Sequence, residues 1–102
     1  MNSIGENWEL IKKTLKKEYD LTDISFNTWI MPLRFYNVEN DIVKIIIPSD
    51  QGHALNYISN KYKSYFQVTI SEMMNHTYDI LFMLEIEVIV SVKLYAISFS
   101  TI

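Results

Sequence analysis

Hydrophobic positions in this chain keep a helical period at first, alternate briefly, return to the helical period, and alternate again to the end. Trp8, Ile11, Leu15 and Tyr19 recur at spacings of three and four, which predicts a first helix from Glu6 to Tyr19 with one apolar stripe. Leu21 to Asp23 read as a turn. Thr22 or Asp23 can cap a second helix there, because a side-chain oxygen accepts an N–H left unpaired in the first helical turn. That helix is expected from Ile24 to Met31, with Phe26, Trp29, Ile30 and Leu33 on one apolar face. Pro32 stops it, since proline lacks an N–H and its ring clashes with the preceding turn.

Leu33–Val38 and Ile42–Ile47 are rich in β-branched and aromatic residues and predict an antiparallel hairpin. Glu39-Asn40-Asp41 supplies the turn, because Asn and Asp tolerate positive φ. Val43, Ile45 and Ile47 form one face of the second strand, with Ile42, Lys44 and Ile46 on the other. Pro48 ends it, and Ser49 and Asp50 are cap candidates for a long third helix reaching Asn75. Its buried side is expected to carry Leu55, Ile58, Tyr62, Tyr65 or Phe66, Thr69 or Ile70, and Met73. From Thr77 the period becomes two: Tyr78, Ile80, Phe82 and Leu84 alternate, and the pattern runs on through Ile86, Val88, Val90, Val92 and Leu94. A single strand of that length would be several times the usual five or six residues. The expectation is a strand to Leu84, followed by a β-prone apolar tail that pairs with a sheet edge or another chain.

The fold class is therefore α+β, in the order helix, helix, β-hairpin, long helix, strand. Residues 1–84 form the domain and 85–102 the tail. The 102 residues suit one small domain, and 49% hydrophobic residues are enough for its core. A domain of this size buries roughly two-thirds of the surface its unfolded chain exposes. Nine Lys and Arg against twelve Asp and Glu give a net charge of −3, which argues against a strongly basic nucleic-acid binder. The first residues lack the basic start and apolar run of a signal peptide, so a cytoplasmic protein is expected. The charges Asp79, Glu85, Glu87 and Lys93 interrupt the apolar C-terminal third, so no membrane association is expected.

Candidate chemistry is sparse. The chain has no cysteine, two glycines and two histidines. His53 and His76 are not at metal-ligand spacing, and the glycines form neither a phosphate-cradling loop nor a GXXG clamp. No catalytic residue, cofactor or metal is expected. Lys12, Lys13, Lys16 and Lys17 read either as a solvated helix surface or as a contact for an acidic partner or a phosphate backbone. Trp8 reads either as core, closing its stripe, or as a partly exposed interface anchor.

Taken together, Trp8, the run SFNTWIMPL at 25–33, IIIP at 45–48, YISNKY at 57–62 and YDILFML at 78–84 resemble the N-terminal domain of the bacterial chromosomal replication initiator DnaA. The resemblance covers roughly residues 6 to 84. It implies a K-homology-like arrangement, a small sheet packed on helices, that lacks the clamp loop. It also implies a non-enzymatic interaction module that self-associates, recruits the replicative helicase, and is bound by regulators of initiation, with weak affinity for single-stranded DNA. On this resemblance Trp8 and Lys12 are the self-association residues of a weak homodimer. Ser25, Phe26, Trp29, Ser49 and Gln51 are the partner-binding residues; on the functional reading of the basic patch, not on the resemblance, Lys13, Lys16 and Lys17 are the nucleic-acid contacts. The segment between Pro48 and Tyr57 is two residues longer than the family's usual pattern. Gln51 stands where an aromatic is common, and His53 is its displaced counterpart. The tail from Ile86 matches nothing in the family. The implied role is to modulate the full-length initiator; the rival readings are a single-stranded nucleic-acid module and a dimerising remnant of a truncated gene or mobile element.

Overall fold

The computed structural model of the chain describes the backbone of residues 3–100 and the side chains of residues 3–94. Helix α1 spans Trp8–Glu18, with Trp8, Ile11 and Leu15 buried and Tyr19 half-buried at its end. Helix α2 is a single turn, Asp23–Ser25, capped by the Thr22 hydroxyl, which accepts from the Ser25 N–H at 3.1 Å. It does not continue to Met31 as an α-helix. Phe26–Ile30 widen into a π turn, closed by the Met31 N–H donating to the Phe26 carbonyl at 2.9 Å. Such π turns are rare and are found disproportionately at functional sites.

Strands β1 (Arg34–Glu39) and β2 (Ile42–Ile47) form the expected antiparallel hairpin. Asn40 and Asp41 turn it at φ 52° and 60°, both in the left-handed region that a tight two-residue hairpin turn demands. A bulge between Phe35 and Asn37 shifts the register of β1. Strand β3 (Asp79–Leu84) lies parallel to β2 on its other side, so the sheet order is β1-β2-β3.

Between β2 and β3 the chain makes a 3-10 segment, Ser49–Ala54, and then helix α3, Leu55–Met74. The α-helix thus starts later than the cap candidates Ser49 and Asp50 predict, because Ser49 is engaged elsewhere, as described below. Asn75 closes α3 in the left-handed conformation at φ 52°, and the His76 N–H donates back to the Ser71 carbonyl at 3.1 Å, a common way to satisfy the last carbonyls of a helix.

The core lies between the helices and one face of the sheet. Val43, Ile45 and Ile47 of β2, Ile58, Tyr62, Phe66 and Ile70 of α3, and Ile11 and Leu15 of α1 are all fully buried. Cross-strand rows Phe35–Ile45–Phe82 and Val38–Val43–Ile80 follow from the registers. The first row meets the helices directly: Phe35 packs on Trp8 with ring centroids 5.9 Å apart, and Phe82 on Phe66 at 6.1 Å. Gly5 permits the N-terminal turn to run beside this row, since a Cβ there would lie 3.1 Å from the Phe35 ring.

The tail departs from expectation. Residues Glu85–Ser100 form helix α4, not a second strand. The alternation was a poor guide because nearly every residue after Glu87 is apolar, and Ile89 already falls on the polar phase; a run that apolar does not distinguish the two periods. Glu85 and Glu87 sit in the first turn, where acidic side chains complement the helix dipole.

Glu85 also pins the start of α4. Its carboxylate accepts from the Ser49 N–H at 3.0 Å and the Ser49 hydroxyl at 2.9 Å, and from the Arg34 guanidinium. The Ser49 bonds, then Arg34, hold its carboxyl below the usual range. A carboxyl with a lowered folded pKa stabilises above the ordinary glutamate value of about 4.3 and loses that contribution as pH falls through the folded value. The Ser49 amide resonance is therefore expected to shift on acidification only below that range. In Glu85→Gln the acid shift should vanish; if it persists in that variant, the clamp is not formed by Glu85.

Candidate interaction surface

The site is built on the turn that Pro32 imposes. A helix end leaves its last carbonyls without partners, and here two side chains of α1 reach across to supply them. The Trp8 indole N–H donates to the Leu33 carbonyl at 2.9 Å. The Lys12 ammonium donates to the Met31 carbonyl at 2.8 Å and the Leu33 carbonyl at 3.3 Å, and pairs with Glu9 at 2.9 Å. Trp8 is 7% and Lys12 4% exposed. Trp8 also stacks on Phe66, centroids 5.5 Å apart. In the folded monomer, then, the side chains expected at a self-association contact form an internal brace for the π turn. Burial of Lys12 follows from this geometry: its stem packs against apolar surface and its charged head finds backbone oxygens.

On the outer side of that brace, Trp29 is half-buried and leans on Tyr57 of α3, centroids 5.2 Å apart and tilted by 54°. Tyr57 is 46% exposed, and its hydroxyl accepts from Lys61 at 3.0 Å, which raises the Lys61 pKa. Gln51 donates through Nε2 to the Thr28 carbonyl at 2.7 Å, tying the 3-10 segment to the π turn. Phe26 is half-buried beneath Lys16, whose ammonium lies 5.2 Å from the ring centroid. Lys16 is itself bound to Asp23 at 2.5 Å, a contact that lowers the Asp23 pKa. Ser25 is half-buried beside Phe26.

Of the predicted partner-binding residues, Ser25, Phe26, Trp29 and Gln51 thus share one region around the π turn. Ser49 lies two residues before Gln51, but its hydroxyl is used by Glu85. The four-lysine patch does not survive as a unit. Lys12 is internal and Lys16 is paired, which leaves Lys13 and Lys17 exposed and without an ion-pair partner among the described residues. Sequence reasoning missed Tyr57 and Lys61 as members of the surface. Their i, i+4 spacing in YISNKY placed them side by side on α3, though nothing in the pattern marked that face as outward.

A cavity of about 200 Å³ between α1 and α3 is lined by Thr14, Glu18, Tyr19, Val68, Thr69, Glu72 and Met73 and includes none of the predicted site residues. Among the described residues no group of three or more His, Cys, Asp or Glu is placed to hold a metal, and no helix is long and apolar enough to cross a membrane.

A family profile described as the DnaA N-terminal domain matches residues 5–76. The chain is also similar to the chromosomal replication initiator protein DnaA of Lachnoclostridium phytofermentans, at 34% identity over 83 residues. That alignment covers 79% of this chain and 18% of the relative, so the chain spans less than a fifth of the curated relative's length. The matched region holds α1, the π turn, the hairpin and α3, the elements that build the surface around Trp29, and the chain belongs to the DnaA N-terminal domain family.

Proposed function

We propose that this chain is a non-catalytic protein–protein interaction module of DNA replication initiation. It acts in the cytoplasm, self-associates, and binds the replicative helicase, the full-length initiator or its regulators through the surface around Trp29. The observation that carries this reading is the way Trp29 is held. An aromatic half-buried on a turn whose carbonyls are held by Trp8 and Lys12, and flanked by Tyr57 and Gln51, is preorganised for contact. Interface hot spots are enriched in Trp and Tyr held in this way, and preorganisation lowers the entropic cost of binding. The dispersal of the lysine patch removes support from a single-stranded nucleic-acid module, which needs a continuous positive groove.

A fragment that recognises the initiator's partners competes with it only when its concentration approaches the dissociation constant. The direct test is calorimetric titration of the purified chain with replicative helicase and with full-length initiator. Tyr57→Ala is expected to weaken whichever binds by at least about tenfold, with little loss of stability because the side chain is half in solvent. Val68→Ala, at an exposed position on α3, should change nothing. Absence of binding to both proteins, or equal loss in the two variants, would overturn the reading.

A further inference from the structure

Acidic residues are absent from the two stretches that build the Trp29 surface. No Asp or Glu occurs between Asp23 and Glu39, or between Asp50 and Glu72, although the chain carries twelve of them and a net charge of −3. Asp23, at the edge of the first stretch, is neutralised by Lys16. Of the nine Lys and Arg residues, Lys12, Lys16, Arg34, Lys44 and Lys63 are paired with carboxylates. Lys13, Lys17, Lys61 and Lys93 have no such partner among the described residues. Of these four, only Lys61 is held in place by a hydrogen bond there, to the Tyr57 hydroxyl at 3.0 Å.

The surroundings of Lys61 are rich in donors and lack a negative charge. The Tyr57 hydroxyl accepts from Lys61 and keeps its own proton to donate. The ammonium lies 5.4 Å from the Tyr57 ring centroid and 5.6 Å from that of Tyr62. The two rings meet edge to face at 6.4 Å, and the Tyr62 hydroxyl is buried without a hydrogen-bond partner. The groups that raise the Lys61 pKa are tyrosines, Tyr57 first, and no carboxylate is among them. Because Tyr57 packs on Trp29, this cation stands at the border of the aromatic surface.

We propose that Lys61 and Tyr57 form a carboxylate-binding site, which takes an acidic side chain of the protein partner beside the group that covers Trp29. One carboxylate oxygen pairs with the ammonium, and the other accepts from the Tyr57 hydroxyl. Such charge-assisted bonds are roughly twice as strong as neutral ones, and a lysine already held by Tyr57 loses less rotamer freedom on pairing. The inference rests on the reading of the Trp29 surface as a partner-binding face and names the chemistry of that partner. A nucleic-acid phosphate chain is a poorer match. It needs successive cations along a groove, whereas the next cation on α3, Lys63, is paired with Asp79 at 3.7 Å.

Titration of the full chain with phenylpropionate and with its neutral amide, followed through amide and indole NMR resonances, is the first test. The acid is expected to shift the Trp29 indole and Lys61 amide signals and to bind about tenfold tighter than the amide. Lys61→Gln should abolish that preference, and Lys63→Gln, the same change of charge on the same helix, should preserve it. Both side chains are exposed, so neither variant should change Tm. In calorimetric titration with replicative helicase and full-length initiator, Lys61→Gln should weaken whichever binds by about tenfold and remove most of its salt dependence. Equal affinity for acid and amide, or a preference that survives Lys61→Gln, overturns the proposal. So does a Lys61→Gln variant that loses oligothymidylate binding as strongly as protein binding, which makes the site a phosphate contact. A partner lost in Tyr57→Ala but bound normally by Lys61→Gln refutes the carboxylate site and leaves the Trp29 reading intact. A Lys61-dependent preference for the acid with neither protein bound does the reverse.

Discussion

Trp8→Ala is expected to destabilise the domain by about 3–5 kcal/mol, the range for truncating a large buried aromatic. The ring is stacked on Phe66 and tilted against Phe35, so its loss opens a cavity between α1, α3 and β1. It also removes the indole donor from the Leu33 carbonyl, leaving that buried oxygen to Lys12 alone. Against a total stability of about 5–15 kcal/mol for a small domain, this is a large share. Urea unfolding followed by circular dichroism measures it. Trp8→Phe separates the two contributions: the ring contact is largely kept while the hydrogen bond is lost, with an expected cost of about 1–3 kcal/mol. A Trp8→Ala protein as stable as wild type would show that the ring does not carry the core. Because the residue braces the π turn from inside, any loss of self-association in Trp8→Ala is expected to track loss of folded protein, not loss of a surface contact.

Much of this architecture was legible because local and global signals agree. The stripe of Ile11 and Leu15 and the alternation Val43, Ile45, Ile47 mark the buried faces, whereas Trp8 on the same stripe reads equally as core or as an interface anchor until its burial is seen, and Asn40-Asp41 supplies the positive φ that the hairpin needs. Pro32 announced the end of the second helix correctly. The π turn before it was not legible, because it differs from an α-helix by one hydrogen bond and by no residue-type preference. Lys12 was misjudged for a related reason. A lysine among lysines reads as solvated surface, and only the three-dimensional closeness of two stranded carbonyls makes burial favourable. The tail was misjudged because β-branched residues favour strands when packing is unknown, whereas the clamp on Glu85 that starts α4 joins residues 34, 49 and 85, a distance that periodicity does not see. Tyr57 and Lys61 were legible as neighbours, but not as surface.

Lys12→Met is the sharper test of how the interaction surface is built. Methionine keeps the length and most of the packing of the lysine stem but cannot donate. The Met31 carbonyl then loses its 2.8 Å donor and the Leu33 carbonyl keeps only Trp8; because the Met31 bond is only part-buried, water can replace part of it, and the cost falls toward the lower end of the about 1–3 kcal/mol for an unsatisfied acceptor. Removal of the ammonium also strands the Glu9 carboxylate, but that group is 73% exposed, so water replaces the pair at little cost. The expected result is a destabilisation toward the lower end of about 1–3 kcal/mol together with a looser π turn. Trp29 fluorescence reports the second effect when Trp8 is first replaced by Phe so that one indole remains. Emission is expected to shift to the red and quench more readily in Trp8→Phe/Lys12→Met than in Trp8→Phe alone, and affinity at the Trp29 surface to fall with it. If Lys12 is instead a self-association contact, the same substitution would weaken the dimer while leaving stability and Trp29 emission unchanged, and the bracing role assigned to it would be wrong.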